Sequence, residues 1–161
     1  MKKFFFLLLA FIPFLVFAQS NDSAWVVNNY TKTETMVPMR DGSKLFTTIY
    51  APKDNTEKHP ILLERTPYSC APYGENIFRS YWNSPRMYFL KENYILIIQD
   101  VRGRWMSEGV FEDVRPYIPN KKSGQIDEAT DTYDAIDWMV KNVKNNNGNV
   151  GVFGISYPGF Y

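Results

Sequence analysis

The chain contains a single cysteine, Cys70, and a single histidine, His59. A lone cysteine cannot form a disulfide within the chain, so a disulfide scaffold is excluded. Nothing around Cys70 supports a role as nucleophile. One cysteine and one histidine are also too few for a zinc site, and we expect no metal or other cofactor. His59 lies in the polar stretch TEKHP and is expected in a surface loop.

The sequence also lacks an excess of charge of either sign. Its formal net charge is +1, with 22% charged and 45% hydrophobic residues among 161. This balance is typical of a globular protein and argues against a disordered tail or a nucleic-acid-binding protein. The length suits about one domain, and there are no internal repeats.

A short apolar run at the start of the chain predicts a secretory signal peptide. Residues 4–17 are apolar apart from Pro13 and follow two lysines, and Ala18 offers a small residue for cleavage. A membrane anchor is the alternative, but a spanning helix needs about 20 apolar residues. We therefore expect a mature chain that starts at Gln19 and works in the periplasm or outside the cell, with no membrane contact after cleavage.

The rest of the chain predicts an α/β fold with a largely parallel sheet. Residues 19–34 are expected to form a linker and the first strand region, and residues 35–161 the domain itself. Continuous apolar strands that alternate with helices are typical of a parallel sheet covered on both faces. In order, the expected elements are a β-hairpin around Asp41-Gly42, a strand at ILLE, a helical stretch over residues 76–90, a strand at YILIIQD, a helix over GQIDEATDTYDAIDWMVKN and a strand at VGVFGI.

In the predicted helix over residues 124–142, apolar residues recur at intervals of three and four. Ala129, Tyr133, Ile136 and Val140 would form its buried face, with the acidic residues exposed to solvent. The preceding segment DVRGRWMSEG is expected to be structural. Asp100, Arg102 and Arg104 are expected to form a buried ion-pair network around Gly103, with substrate contact as the alternative.

The stretch Gly154-Ile155-Ser156-Tyr157-Pro158-Gly159 follows the last predicted strand. A serine between glycines after a buried strand is typical of a nucleophile elbow, a tight turn that exposes the serine hydroxyl. The second glycine stands one position later than in the common Gly-x-Ser-x-Gly form. An ordinary glycine turn after a strand is the alternative interpretation of these residues alone.

Five ordered blocks resemble a family of secreted α/β-hydrolases. They are VPMRDGSKLFTTIYAP, LLERTPY, QDVRGRWMSEGVFED, DEATDTYDAIDWMVKN and GNVGVFGISYPG. The family is the CocE/NonD group, with cocaine esterase, α-amino acid ester hydrolases and glutaryl-cephalosporin acylases, together with the Xaa-Pro dipeptidyl-peptidase (S15) family. The resemblance implies the N-terminal portion of an α/β-hydrolase fold, from the hairpin to the nucleophile elbow.

The resemblance also implies roles for individual residues. Ser156 matches the nucleophile, and the backbone N–H of Tyr157 matches one half of the oxyanion hole. Tyr68 matches a tyrosine whose hydroxyl forms the other half. Two donors that converge from different segments are what a tetrahedral oxyanion requires. Pro158 differs from many relatives, so the resemblance leaves the substrate open.

A serine nucleophile needs a general base and an acid that orients it, and in α/β-hydrolases both follow the serine. We expect this chain to be an N-terminal fragment that lacks these partners and is inactive by itself. The expected function of the whole protein is an exported serine hydrolase of small ester, amide or short peptide substrates. A Xaa-Pro dipeptidyl-peptidase is the alternative within the family, and a secreted protein without catalysis is the alternative outside it. The oligomeric state stays open.

Overall fold

The computed structural model describes residues 18–81 and 84–161. They form a five-stranded mixed sheet with helices on both faces, in the strand order β1-β2-β4-β3-β5. The pairs β1-β2 and β2-β4 are antiparallel, whereas β3 pairs in parallel with both β4 and β5. The α/β class expected from the sequence is confirmed for the described residues.

The predicted elements are largely present, although several of their bounds differ. The strands are β1 (Tyr30–Pro38), β2 (Lys44–Pro52), β3 (His59–Thr66), β4 (Ile95–Asp100) and β5 (Asn146–Val152). The helices are α1 (Ala18–Asn29), α2 (Arg86–Lys91) and α3 (Glu128–Asn142), and a 3₁₀ turn covers Tyr157–Phe160. The predicted signal peptide lies outside the described residues except for Ala18. Residues 19–34, expected as a linker and first strand region, lie in α1 and the start of β1.

The central strand β4 explains why the sheet is covered on both faces. All residues of Ile95–Asp100 are buried, and side chains alternate between the two faces of a strand. Leu96 and Ile98 join one core cluster with Val26 of α1 and Leu90 of α2. The alternate residues Ile95 and Ile97 join a second cluster on the opposite face, together with Ala135 and Met139 of α3.

Helix α3 begins where its sequence provides a cap. The Asp127 carboxylate accepts from the Thr130 N–H at 2.9 Å, and the Thr130 hydroxyl accepts from the Asp127 N–H at 2.9 Å. This reciprocal pair satisfies two donors that the first turn would leave unpaired. The helix therefore starts at Glu128. The apolar pattern predicts an earlier start, at residue 124.

Three expectations about burial and helix length are wrong. Tyr133 is 66% exposed and Val140 37%, while Ala135 and Met139 face the core. Among the described residues of the stretch expected to be helical, 76–90, only those in Arg86–Lys91 form a helix. His59 is buried at the start of β3, where its N–H donates to the Asn145 carbonyl at 2.7 Å.

No helix in the described part of the chain is long and apolar enough to cross a membrane.

Candidate active site

The three parallel strands bring distant loops to one edge of the sheet. Thr66 at the end of β3 lies opposite Asp100 at the end of β4, and Val152 at the end of β5 lies opposite Leu63. The loops that follow these strands therefore meet at their carboxyl ends, which is where open α/β sheets place ligand sites. Tyr68 and Ser156 lie in two of these loops.

Ser156 occupies a strained turn directly after β5. Its backbone angles are φ 60° and ψ −130°, in a region that residues other than glycine rarely adopt. The Phe153 N–H still donates to the Leu63 carbonyl at 2.8 Å, and the Gly159 N–H donates to the Ser156 carbonyl at 2.9 Å. Pairing with β3 thus continues to within three residues of the serine, and the 3₁₀ turn then closes behind it. Ser156 is exposed, so the turn presents this residue to solvent.

Gly154 is required by the close approach of the chain in this turn. A Cβ on Gly154 would lie 2.3 Å from the Pro158 carbonyl oxygen and 2.5 Å from its carbon, whereas a Cβ on Gly159 would lie 3.3 Å from the Gly154 oxygen. The first position therefore has no room for a side chain, and the second is only tight. Pro158, at the position where the common motif has its second glycine, is buried in the turn. The displaced glycine is thus compatible with an elbow.

The loop after β3 brings Tyr68 to the elbow. The Tyr68 and Tyr157 rings meet edge to face, with their centroids 6.0 Å apart. The Tyr68 side chain is 63% exposed, and its backbone N–H donates to the Thr66 hydroxyl at 3.1 Å. The structure thus brings together Ser156, Tyr157 and Tyr68, the three residues predicted for the site. Their chemical roles stay predictions.

The Tyr157 side chain has a partner that the sequence did not reveal. Its hydroxyl donates to an oxygen of Asp113, and its ring lies 5.4 Å from that of Tyr161. The hydrogen bond to the Asp113 carboxylate raises the pKa of Tyr157 above its usual value. No spacing or motif connects these two residues in the sequence, because the contact joins the loop after β4 to the elbow.

The expected network of Asp100, Arg102 and Arg104 exists only in part. Asp100 binds neither arginine through its carboxylate: it accepts from the Cys70 N–H at 2.7 Å and the Met106 N–H at 3.4 Å. Arg104 donates instead to a backbone carbonyl of the Tyr68 loop. The turn at Gly103 is tight, because φ is +69° and a Cβ there would lie 2.1 Å from a backbone nitrogen.

A buried ion network, formed by Arg65, Arg102, Glu128 and Asp131, connects the sheet to α3, with the exposed Asp41 at its margin. Arg102 donates to both Asp131 oxygens at 2.9 and 2.7 Å and to Asp41 at 2.7 Å. Arg65 donates to Glu128 at 3.3 Å and lies 3.6 Å from Asp131. The acids early in α3 are therefore buried partners rather than a solvated face, and that expectation is wrong.

Opposing effects act on the two arginines of this network. Burial lowers the pKa of Arg65, and the carboxylates of Glu128 and Asp131 only partly oppose it. Burial also disfavours the charged form of Arg102, but its hydrogen bonds to Asp131 and Asp41 outweigh this and raise its pKa. Burial penalises the charged form of an arginine, whereas hydrogen-bonded carboxylates favour it, and the stronger of the two sets the direction of the pKa shift.

Cys70 and His59 lie in places that suit neither a nucleophile nor a base for Ser156. Cys70 is fully buried, and burial raises the pKa of its thiol to about 12. His59 pairs with Asn146 at the start of β5, whereas Ser156 follows the end of that strand. The two residues thus lie at opposite edges of the sheet, about 20 Å apart for a strand of this length. Within residues 18–81 and 84–161, no cluster of acidic, cysteine or histidine side chains is suited to hold a metal ion.

Comparison with known proteins identifies the family. Residues 41–161 match the family model described as X-Pro dipeptidyl-peptidase (S15 family). The chain belongs to this S15 family. Over 138 residues it is 35% identical to cocaine esterase of Rhodococcus sp. (strain MB1 Bresler), in an alignment that covers 83% of this chain and 21% of the esterase. The predicted relationship to CocE/NonD hydrolases is confirmed.

Solved structures of similar proteins support the same assignment. An α-amino acid ester hydrolase superposes with a TM-score of 0.71 at 42% identity, covering 83% of this chain and 22% of the hydrolase. An aminopeptidase from a marine sediment Thaumarchaeota archaeon gives 0.69 at 40%, covering 82% of this chain and 22% of the aminopeptidase. A CocE/NonD family hydrolase from Staphylococcus aureus superposes with a TM-score of 0.58 at 22% identity, covering 81% of this chain and 24% of the hydrolase. At this identity the likeness shows the fold alone. The chain thus spans between a fifth and a quarter of the length of these relatives.

Proposed function

We propose that the protein is a serine hydrolase that cleaves ester or amide bonds by acyl transfer, with Ser156 as nucleophile. The observation that carries this proposal is the strained backbone of Ser156, at φ 60° and ψ −130°. It lies at the carboxyl edge of the sheet in a chain of the S15 family. Backbone strain at an exposed serine is characteristic of a nucleophile elbow and is rarely retained without a functional reason.

The chemistry follows from the groups that meet at this edge. The Ser156 Oγ gives its proton to a general base and forms a bond to the substrate carbonyl carbon, and the carbonyl oxygen becomes an oxyanion. The Tyr68 hydroxyl and the Tyr157 N–H donate to that oxyanion. When the bond to the alcohol or amine breaks, the base returns the proton to the leaving group and an acyl-enzyme remains. Water then hydrolyses the acyl-enzyme and restores the serine.

The general base for Ser156 lies, in this proposal, in a part of the protein beyond these 161 residues. The only histidine here is at the opposite edge of the sheet, and a serine without a base is a poor nucleophile. The coverage of 21% of cocaine esterase agrees with this. We therefore expect this chain by itself to be inactive and to supply the nucleophile and oxyanion portion of a longer enzyme.

The proposed substrates are small esters, amides or short peptides. The relatives at 35–42% identity are named for ester hydrolysis and for aminopeptidase activity, which favours an amino-acid ester or related amide. Cleavage after Xaa-Pro is the alternative within the family. A nucleic-acid substrate is not expected, because the net charge is +1.

Export is a further part of the proposal. The basic start, the apolar run over residues 4–17 and the small residue Ala18 support cleavage before Gln19. N-terminal sequencing of the protein recovered outside the cytoplasm should begin at Gln19. An intact N-terminus on a protein that stays in the membrane fraction would instead support an anchor.

The decisive experiment measures hydrolysis of a chromogenic ester by the protein expressed from its whole reading frame. Ser156→Ala should reduce kcat by at least about 10⁴-fold, and Tyr68→Phe by about 10²-fold because one oxyanion donor is lost. Ser123→Ala and Tyr117→Phe are matched controls at exposed positions and should keep the full rate. Turnover that survives Ser156→Ala contradicts the proposal. A well-folded protein with no turnover on esters, amides or peptides supports the alternative of a secreted protein without catalysis.

A further inference from the structure

The loop that carries Tyr68 is held on both sides by the end of β4 and the loop that follows it. Just before Tyr68, the Pro67 carbonyl accepts from the Trp105 indole N–H at 2.9 Å and from the Arg104 Nε at 3.2 Å. Just after it, the Cys70 N–H donates to the Asp100 carboxylate at 2.7 Å. The backbone on either side of Tyr68 is thus fixed to one neighbouring loop.

The two attachments differ in their surroundings. Asp100 is fully buried, and a buried carboxylate that accepts from a backbone N–H makes a strong, charge-assisted hydrogen bond. Its other oxygen accepts from Met106 and Tyr73, each at 3.4 Å. Asp100 therefore holds its own loop and the Tyr68 loop through one side chain.

Trp105 is exposed and strained, which a role in the core does not explain. Its side chain is 59% exposed and its backbone φ is +51°, a left-handed conformation that costs about 1 kcal/mol or more for such a residue. In this conformation its indole N–H donates to Pro67, and its ring lies 5.8 Å from the Arg104 guanidinium. An exposed tryptophan would otherwise have little reason to adopt it.

We propose that Trp105 and Asp100 are positioning residues for the hydroxyl of Tyr68. This inference rests on the proposed role of Tyr68 as an oxyanion donor. Tyr68 is 63% exposed, so packing around its side chain contributes little to its position. An oxyanion donor is effective only within about 2.7–3.1 Å of the developing charge, and a displacement of about 1 Å can cost up to about 10²-fold in rate. The hydrogen bonds made by Pro67 and Cys70 limit such displacement of the Tyr68 loop.

A double-mutant cycle between Trp105 and Tyr68 tests this role in the protein from the whole reading frame. Trp105→Phe removes the indole N–H but keeps an aromatic ring beside Arg104. We expect kcat for a chromogenic ester to fall about 10-fold with KM unchanged, because only the transition state carries the oxyanion. In the Tyr68→Phe background the same change should cost less than about twofold, because the hydroxyl that it positions is absent.

A matched control and a second variant separate positioning from general destabilisation. Trp25→Phe changes a tryptophan whose ring contacts Tyr30 instead, and it should keep the full kcat. Asp100→Asn should lower kcat with the same non-additivity toward Tyr68→Phe, and its effect is compared at a temperature where urea titration shows a folded protein.

The possible outcomes distinguish the two proposals. If Tyr68→Phe lowers kcat but Trp105→Phe has no effect, or the two effects multiply in the double variant, the positioning role is wrong and the oxyanion role stands. If Tyr68→Phe keeps the full rate, or no variant or parent shows turnover, the oxyanion role fails and the positioning role fails with it.

Discussion

Replacing Asp131 by asparagine is expected to destabilise the protein by about 3 kcal/mol. Asp131 is 1% exposed and accepts two hydrogen bonds from Arg102, at 2.9 and 2.7 Å, with Arg65 3.6 Å away. Removing one member of a buried charge pair costs about 3–5 kcal/mol, because the remaining charge is left without compensation. The lower end applies here, since each arginine keeps a second carboxylate, Asp41 or Glu128.

Urea titration of the parent and the variant measures this cost. At an m-value of about 2 kcal/mol per molar, 3 kcal/mol lowers the midpoint by about 1.5 M. Asp137→Asn on the same helix is the matched control, because Asp137 pairs with Lys141 across exposed side chains. An exposed pair of this kind contributes about 0.3–0.5 kcal/mol, so its midpoint should move by about 0.2 M.

The comparison between the two asparagine variants decides the outcome. A larger shift for Asp131 shows that the buried ion network holds α3 against the sheet. Equal shifts, or a shift below about 0.5 M for Asp131→Asn, would refute the assignment of stability to this network.

Three further predictions concern the elbow, the buried thiol and the cap of α3. Gly154→Ala should abolish ester turnover, because its Cβ would lie 2.3 Å from a backbone oxygen, whereas Gly159→Ala should keep measurable activity because the corresponding distance is 3.3 Å; equal kinetics for the two variants would contradict this. Cys70 should not react with a thiol reagent at pH 8 until urea unfolds the protein, because burial raises its pKa to about 12; rapid labelling of the folded protein would be inconsistent with this burial. Although burial disfavours the charged form of Asp127, its hydrogen bond with Lys121 and two backbone N–H donors lower its pKa to about 2, so the stability that it contributes is present above about pH 4 and is lost as pH falls toward 2. Asp127→Asn should therefore make the urea midpoint less dependent on pH in this range, and an unchanged dependence would contradict the assignment.

The buried strands could be predicted from the sequence because their signals are local, and continuous apolar runs predict strands such as β4. The overall order of strands and helices follows from the same runs. These features depend on neighbours in the sequence, so a single sequence contains what is needed to find them. The residues Gly154 to Gly159 alone leave an ordinary glycine turn open, and the family resemblance of five separate blocks favours the elbow.

The surroundings of α3 could not be predicted because they depend on residues far along the chain. Its apolar pattern allows two faces, and the one that contains Ala135 and Met139 is buried because the acids beside it pair with Arg65 and Arg102. These arginines come from β3 and from the loop after β4. The contact between Tyr157 and Asp113 arises in the same way, through loops that only the folded sheet brings together.

The placement of His59 shows a related limit. Its polar neighbours in the sequence are typical of a loop, but pairing with Asn146 of β5 extends β3 back to this residue and buries it. Strand ends are set by the partner strand, which local composition does not describe.

Covalent labelling of the protein from the whole reading frame with a fluorophosphonate tests the central claim most directly. The reagent reacts with serines that are activated as nucleophiles, and mass spectrometry of the digested protein identifies the modified residue. The account predicts one modified serine, Ser156, no labelling of Ser156→Ala, and none of the 161-residue chain by itself. Modification of another serine, or none in a folded whole protein that hydrolyses esters, would contradict it.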